Sequence, residues 1–196
     1  LLLARDDLDV NWKGATNETG FQCACENGHA KIVNLLLARN DVDANLTGRM
    51  IRTGFHFACE KGHTEVIKLL LAKDDVHVNL KDFASRTGFH LACENGHTEI
   101  VNLLLARDDL DVNWKGATNE TGFQCACENG HAKIVNLLLA RNDVDANLTG
   151  RMIRTGFHFA CEKGHTEVIK LLLAKDDVHV NLKDFASRTG FHLACE

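Results

Sequence analysis

Apolar residues recur along the chain in short blocks with helical spacing. In the stretch that begins at Thr87, the segment GFHLACEN turns Phe89, Leu91 and either Ala92 or Cys93 to one side, which predicts a short helix. Thr87 precedes this segment and is a suitable N-cap, because its hydroxyl can accept a hydrogen bond from the first turn.

A second apolar block follows in the same stretch. Gly96 favours a left-handed turn, and HTEIVNLLLARDD then predicts a helix with a wide apolar stripe. The stripe consists of Ile100, Val101, Leu103, Leu104 and Leu105. The polar, glycine-containing segment LDVNWKGATNE predicts an extended, hairpin-like connection to the next helix.

This helix–turn–helix pattern returns every 34 residues. Copies of the phrase begin at Thr19, Thr53, Thr87, Thr121, Thr155 and Thr189. Periods of about 20 to 50 residues are typical of solenoids, in which each unit buries its apolar face against its neighbours.

The repeated phrase, T-G-F-H-x-A-C-E-x-G-H-x-E-[IV]-[IV]-x-L-L-L followed by D-V-N, resembles the ankyrin repeat. The resemblance implies an all-α repeat solenoid of stacked helix-turn-helix units with projecting β-hairpin-like loops. Glycine replaces the proline of the family's T-P-L-H phrase in every copy, and the chain has no proline at all. We expect each exchange to cost a fraction of ~1 kcal/mol, because glycine is more flexible than proline at the first helical position.

The pattern predicts one continuous array. Its expected units are a partial repeat at 1–8, full repeats at 9–42, 43–76, 77–110, 111–144 and 145–178, and a partial repeat at 179–196. Residues 1–94 are identical to residues 103–196, so a larger period of 102 residues spans three units. Both chain ends fall within predicted helices, and we therefore expect a segment of a longer array with sticky, uncapped ends.

Composition and charge exclude some classes of partner. The net charge is −5, and acidic and basic residues alternate without a long basic stripe, so nucleic-acid binding is not expected. The longest apolar runs, such as IVNLLLA, are too short to cross a bilayer, so membrane insertion is not expected either.

Cysteine recurs at one fixed position of the unit, and histidine recurs at two. The cysteines of the first helix are Cys25, Cys59, Cys93, Cys127, Cys161 and Cys195. We expect them to be buried and unpaired, because neighbouring ankyrin units lie roughly 10 Å apart whereas a disulfide needs Cα atoms within about 7 Å. The resemblance implies structural hydrogen bonds for the histidines. Those of the G-H pair are His29, His63, His97, His131 and His165, and those of the T-G-F-H phrase are His56, His90, His158 and His192.

The sequence contains no catalytic constellation. It has no nucleophile elbow, phosphate-binding loop, dinucleotide fingerprint or H-E-x-x-H motif. Neither the histidines nor the cysteines have the spacing of a metal site. We therefore expect a protein that is not an enzyme, with no cofactor, no metal and no small-molecule substrate.

The connections differ among the three units of a block and carry the candidate contact residues. Their tips read NWKGATNE at 11–18, NLTGRMIR at 45–52 and NLKDFASR at 79–86. Large side chains expected to be exposed there, as contacts for a protein partner or for another copy, are Trp12, Arg49, Met50, Ile51, Phe83 and their copies Trp114, Arg151, Met152, Ile153 and Phe185. Folding back onto neighbouring connections is the alternative.

Two N-glycosylation sequons occur in each block. They are NET at Asn17 and Asn119, and NLT at Asn45 and Asn147. Asn45 matches the structural asparagine of the ankyrin D-V-N phrase and is the poorer acceptor. The compartment stays open, since the family's habit is intracellular whereas occupied sequons would place the chain outside the cell.

Two functions remain. The verbatim repetition of the tips favours a structural or scaffolding solenoid, part of a periodic array or filament. The alternative is a protein-interaction module that binds through its tips and concave face, as the resemblance implies. An engineered concatenation of ankyrin units is a further alternative, because it would have the same sequence pattern and the same packing.

Overall fold

A computed structural model describes residues 8–196 of the chain. These residues form eleven α-helices, of which the first ten are arranged as five pairs. The helices are α1 (Gly20–Glu26), α2 (Ala30–Leu37), α3 (Gly54–Lys61), α4 (Thr64–Leu71), α5 (Gly88–Glu94), α6 (Thr98–Leu105), α7 (Gly122–Glu128), α8 (Ala132–Leu139), α9 (Gly156–Glu162), α10 (Thr166–Leu173) and α11 (Gly190–Ala194).

The first helix of each pair begins at a threonine cap, as predicted. At α5, Thr87 and His90 form a reciprocal capping box, which satisfies backbone N–H groups that have no partner within the helix. The turn between the two helices contains a glycine in the left-handed region, with a φ of 77° at Gly96.

The second helix of each pair is shorter than predicted. The helix α6 ends at Leu105, whereas the sequence pattern extended it through residue 109. Arg107 leaves the helix and binds Asp109 instead, with Nε 2.7 Å from Oδ1. This local ion pair folds the RDD segment into a turn, so the polar residues no longer follow the helical stripe.

The pairs stack in a single row. Each first helix packs on the first helix of the next pair, from α1 through α11, and the second helices α2 to α10 form a parallel row. Phe89, Leu91, Ile100 and Leu104 are fully buried between neighbouring pairs. The arrangement is the predicted all-helical solenoid, in which each unit completes the core of the one before it.

Glycine in the T-G-F-H phrase has a steric reason that the sequence did not reveal. A Cβ atom placed on Gly88 would lie 2.5 Å from Phe55 Cε1, and one placed on Gly122 would lie 2.6 Å from Phe89 Cε1. The phenyl ring of one unit therefore packs directly on the backbone of the next, which a larger residue would prevent.

The last described helix has an open face. Phe191 is 74% exposed, whereas its equivalent Phe89 is 1% exposed under the following unit. Cys195 is also exposed, so the prediction that all six cysteines of the first helices are buried is wrong at this position. Among the described residues, no unit covers this face. The predicted partial helix at the start of the chain lies outside the described residues.

Candidate interaction surface

The connections between units project as a row of tips. We define this tip row as residues 11–18, 45–52, 79–86, 113–120, 147–154 and 181–188. Each tip is closed across its base by a backbone hydrogen bond, such as Gly48 N to Arg52 O at 2.7 Å or Asp82 N to Arg86 O at 2.9 Å. Within the described residues, the only β-type pairing is an isolated bridge between Lys13 and Thr19, so the tips are hairpin-like turns.

Neighbouring tips are joined by hydrogen bonds. The backbone N–H of Phe83 donates to the carbonyl of Met50 at 2.9 Å, and that of Ala117 donates to Ala84 at 2.8 Å. Lys13 Nζ donates to the carbonyl of Thr47 at 2.7 Å. The tip row is therefore a connected edge of the stack.

Most of the predicted contact residues lie exposed on this edge. Met50, Ile51 and Phe83 are 47%, 55% and 58% exposed, and the backbone hydrogen bond from Phe83 to Met50 places them where the second tip joins the third. Their copies Met152, Ile153 and Phe185 are exposed as well. The structure thus brings together three of the predicted side chains in each block. We call these the apolar tip clusters.

The backbone beneath each cluster is strained. Met50 and Ile51 have φ values of 56° and 57°, in the left-handed region that favours glycine or asparagine. For a β-branched residue this conformation is a genuine outlier, and such residues cost of order 1–3 kcal/mol each. The turn recurs in the second block at Met152 and Ile153.

The two tryptophans differ in exposure, although their local sequences are identical. Trp12 is 73% exposed, whereas Trp114 is half-buried, so the prediction of an exposed side chain is wrong for Trp114. Its indole N–H donates to the carbonyl of Ser85 at 2.8 Å, and Lys81 Nζ lies 3.1 Å from the ring centroid. The described residues before Trp12 include no equivalent of Ser85 or Lys81.

Arg49 has its charge compensated within the stack. Its guanidinium lies 2.8 Å from the carboxylate of Glu18 and 2.5 Å from that of Glu26, and it stacks on Phe57 at 5.0 Å from the ring centroid. The copy, Arg151, pairs with Glu120 and Glu128 in the same way. The arginine therefore joins two units and is not a free cation.

A buried ion network beneath the tips was not predicted. Asp82 has a fully buried carboxylate that lies 3.3 Å from Arg52 and 3.0 Å from Arg86. It also accepts the backbone N–H groups of Ala84 and Arg86, each at 2.9 Å. Burial opposes ionisation, but these hydrogen bonds and the charge of Arg86 hold the pKa of Asp82 below its usual value. The only sequence signal is an arginine before two of the three T-G-F phrases in each block.

The histidines of the T-G-F-H phrase bridge consecutive units. His56 Nδ1 accepts from the hydroxyl of Thr53 at 2.9 Å, and its Nε2 donates to the carbonyl of Leu80 in the next unit at 2.9 Å. Burial lowers the pKa of His56, His90 and His158, which favours the neutral ring that this bonding requires. Gln22 replaces histidine in the first unit and keeps both roles, with Nε2 donating to the carbonyl of Leu46 at 2.7 Å.

The histidines of the G-H pair also join consecutive units. His63 Nε2 donates to the carbonyl of Glu26 at 2.8 Å, and His97 Nε2 donates to the carbonyl of Glu60 at 2.9 Å. Each ring therefore satisfies the carboxyl end of the preceding unit's first helix. These are the structural hydrogen bonds that the resemblance implied, although they run between units and not within one loop.

The two kinds of sequon are placed differently. The side-chain amide of Asn45 donates to the carbonyl of Asp75 at 2.6 Å, and that of Asn147 donates to the carbonyl of Asp177 at 2.8 Å. A glycan on that nitrogen would break the bond between units. Asn17 and Asn119 are exposed at a tip, although the Asn119 amide lies 3.3 Å from the carbonyl of Thr149. Exposure thus favours Asn17 as an acceptor.

The cysteines are unpaired and mostly buried. Cys25, Cys59, Cys93, Cys127 and Cys161 lie in the core, and none of the eight cysteines forms a disulfide. Burial raises the pKa of Cys25 to about 12 and that of Cys161 to about 11, so the reactive thiolate is strongly disfavoured. Among residues 8–196, no group of three or more His, Cys, Asp or Glu side chains is placed to hold a metal ion. In the same part of the chain, no helix is long and apolar enough to span a membrane.

Comparison with protein families gives a consistent result along the chain. A family model described as ankyrin repeats matches three times, at residues 1–82, 55–150 and 123–196. No curated protein sequence matches the chain significantly. With its stacked helix pairs, the chain belongs to the ankyrin-repeat family, whose members generally serve as protein-interaction scaffolds.

Proposed function

We propose that the chain is a non-enzymatic structural solenoid and forms part of a longer periodic array or filament. In this role the stack serves as a structural element, and its function depends on regular packing of the units and not on one binding site. Identical units create identical interfaces, and identical interfaces propagate one geometry along an array.

The observation that carries the proposal is the recurrence of each interface after three units. The Arg52–Asp82 ion pair of 3.3 Å recurs as Arg154–Asp184 at 3.2 Å. The hydrogen bond between neighbouring tips recurs at 2.9 Å, from Phe83 N to Met50 O and from Phe185 N to Met152 O. Surface and core repeat alike, which an array requires and a binder of one specific partner does not.

Electron microscopy of the material in its native state tests this proposal. We expect long particles whose axial repeat corresponds to three ankyrin units. Short, monodisperse, curved particles would contradict the array and leave the interaction module as the better description. Density at Asn17 and Asn119 would answer the glycosylation question in the same experiment.

A protein-interaction module is the second candidate, favoured by the exposed apolar side chains of the tips. Met50, Ile51 and Phe83 offer a contact surface that internal packing does not use. For this function we expect a second protein in stoichiometric amounts in the native material. Its release should follow substitution of these residues and not substitution of Leu173, which is 57% exposed on a helix away from the tips.

Catalysis forms no part of the proposal. The histidines that recur in each unit are engaged in hydrogen bonds between units, and burial disfavours the thiolate of the core cysteines. These features support structural roles for the side chains that would otherwise be candidates for chemistry.

A further inference from the structure

The second tip of each block uses an unfavourable residue where the fold allows a favourable one. Residues 17, 51 and 85 occupy the same position in three successive tips, and all three are left-handed, with φ values of 62°, 57° and 55°. The first and third tips place Asn17 and Ser85 there. The second tip places isoleucine, whose branched Cβ makes this conformation strained. The fold therefore requires a left-handed residue at this position but does not require isoleucine.

The side chains of the strained residues are only partly packed within the fold. Ile51 is 55% exposed and its neighbour Met50 is 47% exposed, although Met50 is itself left-handed at a φ of 56°. The hydrogen bond from Phe83 N to Met50 O places a third exposed apolar side chain beside them. Strained backbone clusters at binding and switch sites, and exposed apolar side chains often mark contact surfaces.

The surroundings of the cluster carry no unpaired charge on the second tip. Arg49 is compensated by Glu18 and Glu26, and Arg52 is buried against Glu60 and Asp82. An apolar cluster with compensated neighbours fits another apolar, uncharged surface. On the third tip, Lys81 lies two residues from Phe83 and places its ammonium group over the ring of Trp114 in the next tip. The charges around the cluster are therefore engaged within the stack, which favours contact with a copy of the same surface.

We propose that the apolar tip clusters, formed by Met50, Ile51 and Phe83 and by Met152, Ile153 and Phe185, pair two stacks edge to edge, the occupant of each cluster being the same kind of cluster on a second copy of this chain. This contact rests on the proposed structural function and adds lateral association to it. A two-fold pairing brings the same surface together from both copies, as is usual in symmetric dimers.

The spacing of the clusters favours a second copy over an unrelated partner. Two identical clusters lie three units apart on one connected edge. A second copy of the chain has the same two clusters at the same separation, because its sequence is the same. One cluster of three side chains is small compared with the about 800 Å² per partner of a standard interface. If both clusters of one chain contact both clusters of the other, the second contact forms within an existing complex. The overall affinity then rises although neither cluster gains an interaction.

Sedimentation velocity over a range of concentrations tests the pairing. The chain is compared in a background in which Trp12→Ser and Phe191→Ser remove the exposed aromatic side chains of its first and last described units, so that end-to-end stacking contributes less. We expect a reversible dimer at concentrations up to about 0.5 mM. A monomer throughout that range would overturn the proposal, including the case in which another protein occupies the clusters.

The decisive variant is Ile51→Ser together with Ile153→Ser. It converts IRTGFH at 51–56 into SRTGFH, which the chain already has at 85–90. We expect the dimer to weaken by at least about tenfold. The thermal midpoint, measured at a concentration low enough for the chain to be monomeric, should rise because the strain is relieved. Unchanged dimerisation would overturn the proposal. So would a lower midpoint, since isoleucine would then be stabilising the fold itself.

Two further variants separate the cluster from exposed apolar surface in general. Phe83→Ser with Phe185→Ser should weaken the dimer without raising the midpoint, and Leu173→Ser should leave the dimer unchanged. Equal weakening by Leu173→Ser would show non-specific association and overturn the proposal. Single, unpaired arrays in electron micrographs would also overturn it, but would leave the proposed structural function intact.

Discussion

Single residues set how closely the units approach. The first helices of neighbouring units meet at a glycine, where the phenyl ring of the preceding unit occupies the space that a Cβ would need. The flanking threonine and the histidine or glutamine three residues later close the helix end and reach to the next unit. Four consecutive residues thus make both the cap and the joint.

Gly122→Ala and Gly20→Ala form a matched pair, because residues 19–28 and 121–130 have the same sequence. A Cβ on Gly122 would lie 2.6 Å from Phe89 Cε1, whereas one on Gly20 has nothing within 4 Å. We expect Gly122→Ala to lower the free energy of unfolding by about 1–3 kcal/mol through overpacking. Gly20→Ala should change it by less than about 1 kcal/mol. Urea denaturation measures both, and equal effects would show that the contact with Phe89 is unimportant.

The neutral histidines make stability depend on pH. Burial lowers the pKa of His56, His90 and His158 below the ordinary 6.5 in the folded chain. The unfolded chain therefore takes up protons first, so their contribution is present above about pH 6.5 and is lost as the pH falls below it. We expect the urea midpoint to be lower at pH 5.5 than at pH 7.5.

Gln22 provides the control for this prediction, since it makes the same bonds without titrating. The triple variant His56→Gln, His90→Gln, His158→Gln should keep its stability at neutral pH and show a smaller loss between pH 7.5 and 5.5. If the loss is as large as in the parent chain, other groups are responsible for it.

At the scale of elements, each block contains three different joints between its units. The joint of the first and second tips pairs Arg49 with Glu18, that of the second and third pairs Arg52 with Asp82, and that of the third with the next block places Trp114 beneath Lys81. The helices are nearly interchangeable, but the tips are not. Order along the stack is therefore specified by the connections.

Asp82→Ala tests the joint of the second and third tips. The change leaves Arg52 buried with one of its partners removed, and it also removes the acceptor for the backbone of the third tip. We expect a loss of about 3–5 kcal/mol in the free energy of unfolding. The control is Asp41→Ala, which removes a carboxylate that is 54% exposed beside Arg39 and should have a much smaller effect, because solvent screens an exposed ion pair. Similar costs for the two variants would contradict a special role for the buried network.

The sequence predicted the helix pairs, their threonine caps and the left-handed glycines well, because these depend on residues close together in the chain. It wrongly predicted an exposed Trp114, and it did not predict the burial of Asp82. Both depend on which residues of the neighbouring tip lie beside them. The local sequence cannot show this, because it is identical at Trp12 and Trp114. Ile51 was predicted as an exposed contact residue, but its strain became visible only in the backbone.

At the scale of the whole molecule, the stack has no closed core and each unit depends on the next. Residues 87–94 and 189–196 have the same sequence, yet Phe89 is 1% exposed and Phe191 is 74% exposed. Phe89 is followed by the second helix of its pair and by the next unit, whereas α11 is the last described helix. Stability should therefore grow with every unit added at an open face.

Appending the sequence of residues 95–128 after Glu196 tests this dependence. The added unit should bury Phe191, and one such side chain contributes about 1.5–3 kcal/mol when it moves from water into a core. We expect a higher thermal midpoint with a single cooperative transition, measured by circular dichroism. An extension of the same composition in scrambled order should leave the midpoint unchanged. If the native-order extension also has no effect, the open face is not what limits stability.

The three unlike joints also limit how the chain can misfold. A unit that docks one or two places out of register sets the wrong tips side by side, for example Leu80 where Trp114 belongs, and loses its hydrogen bonds and ion pairs. A unit that is displaced by three places docks on a unit of identical sequence, so all hydrogen bonds and ion pairs of the joint can form. During folding, whole blocks can therefore be skipped or exchanged between chains, and the same regularity that lets an array grow makes swapped assembly its characteristic error.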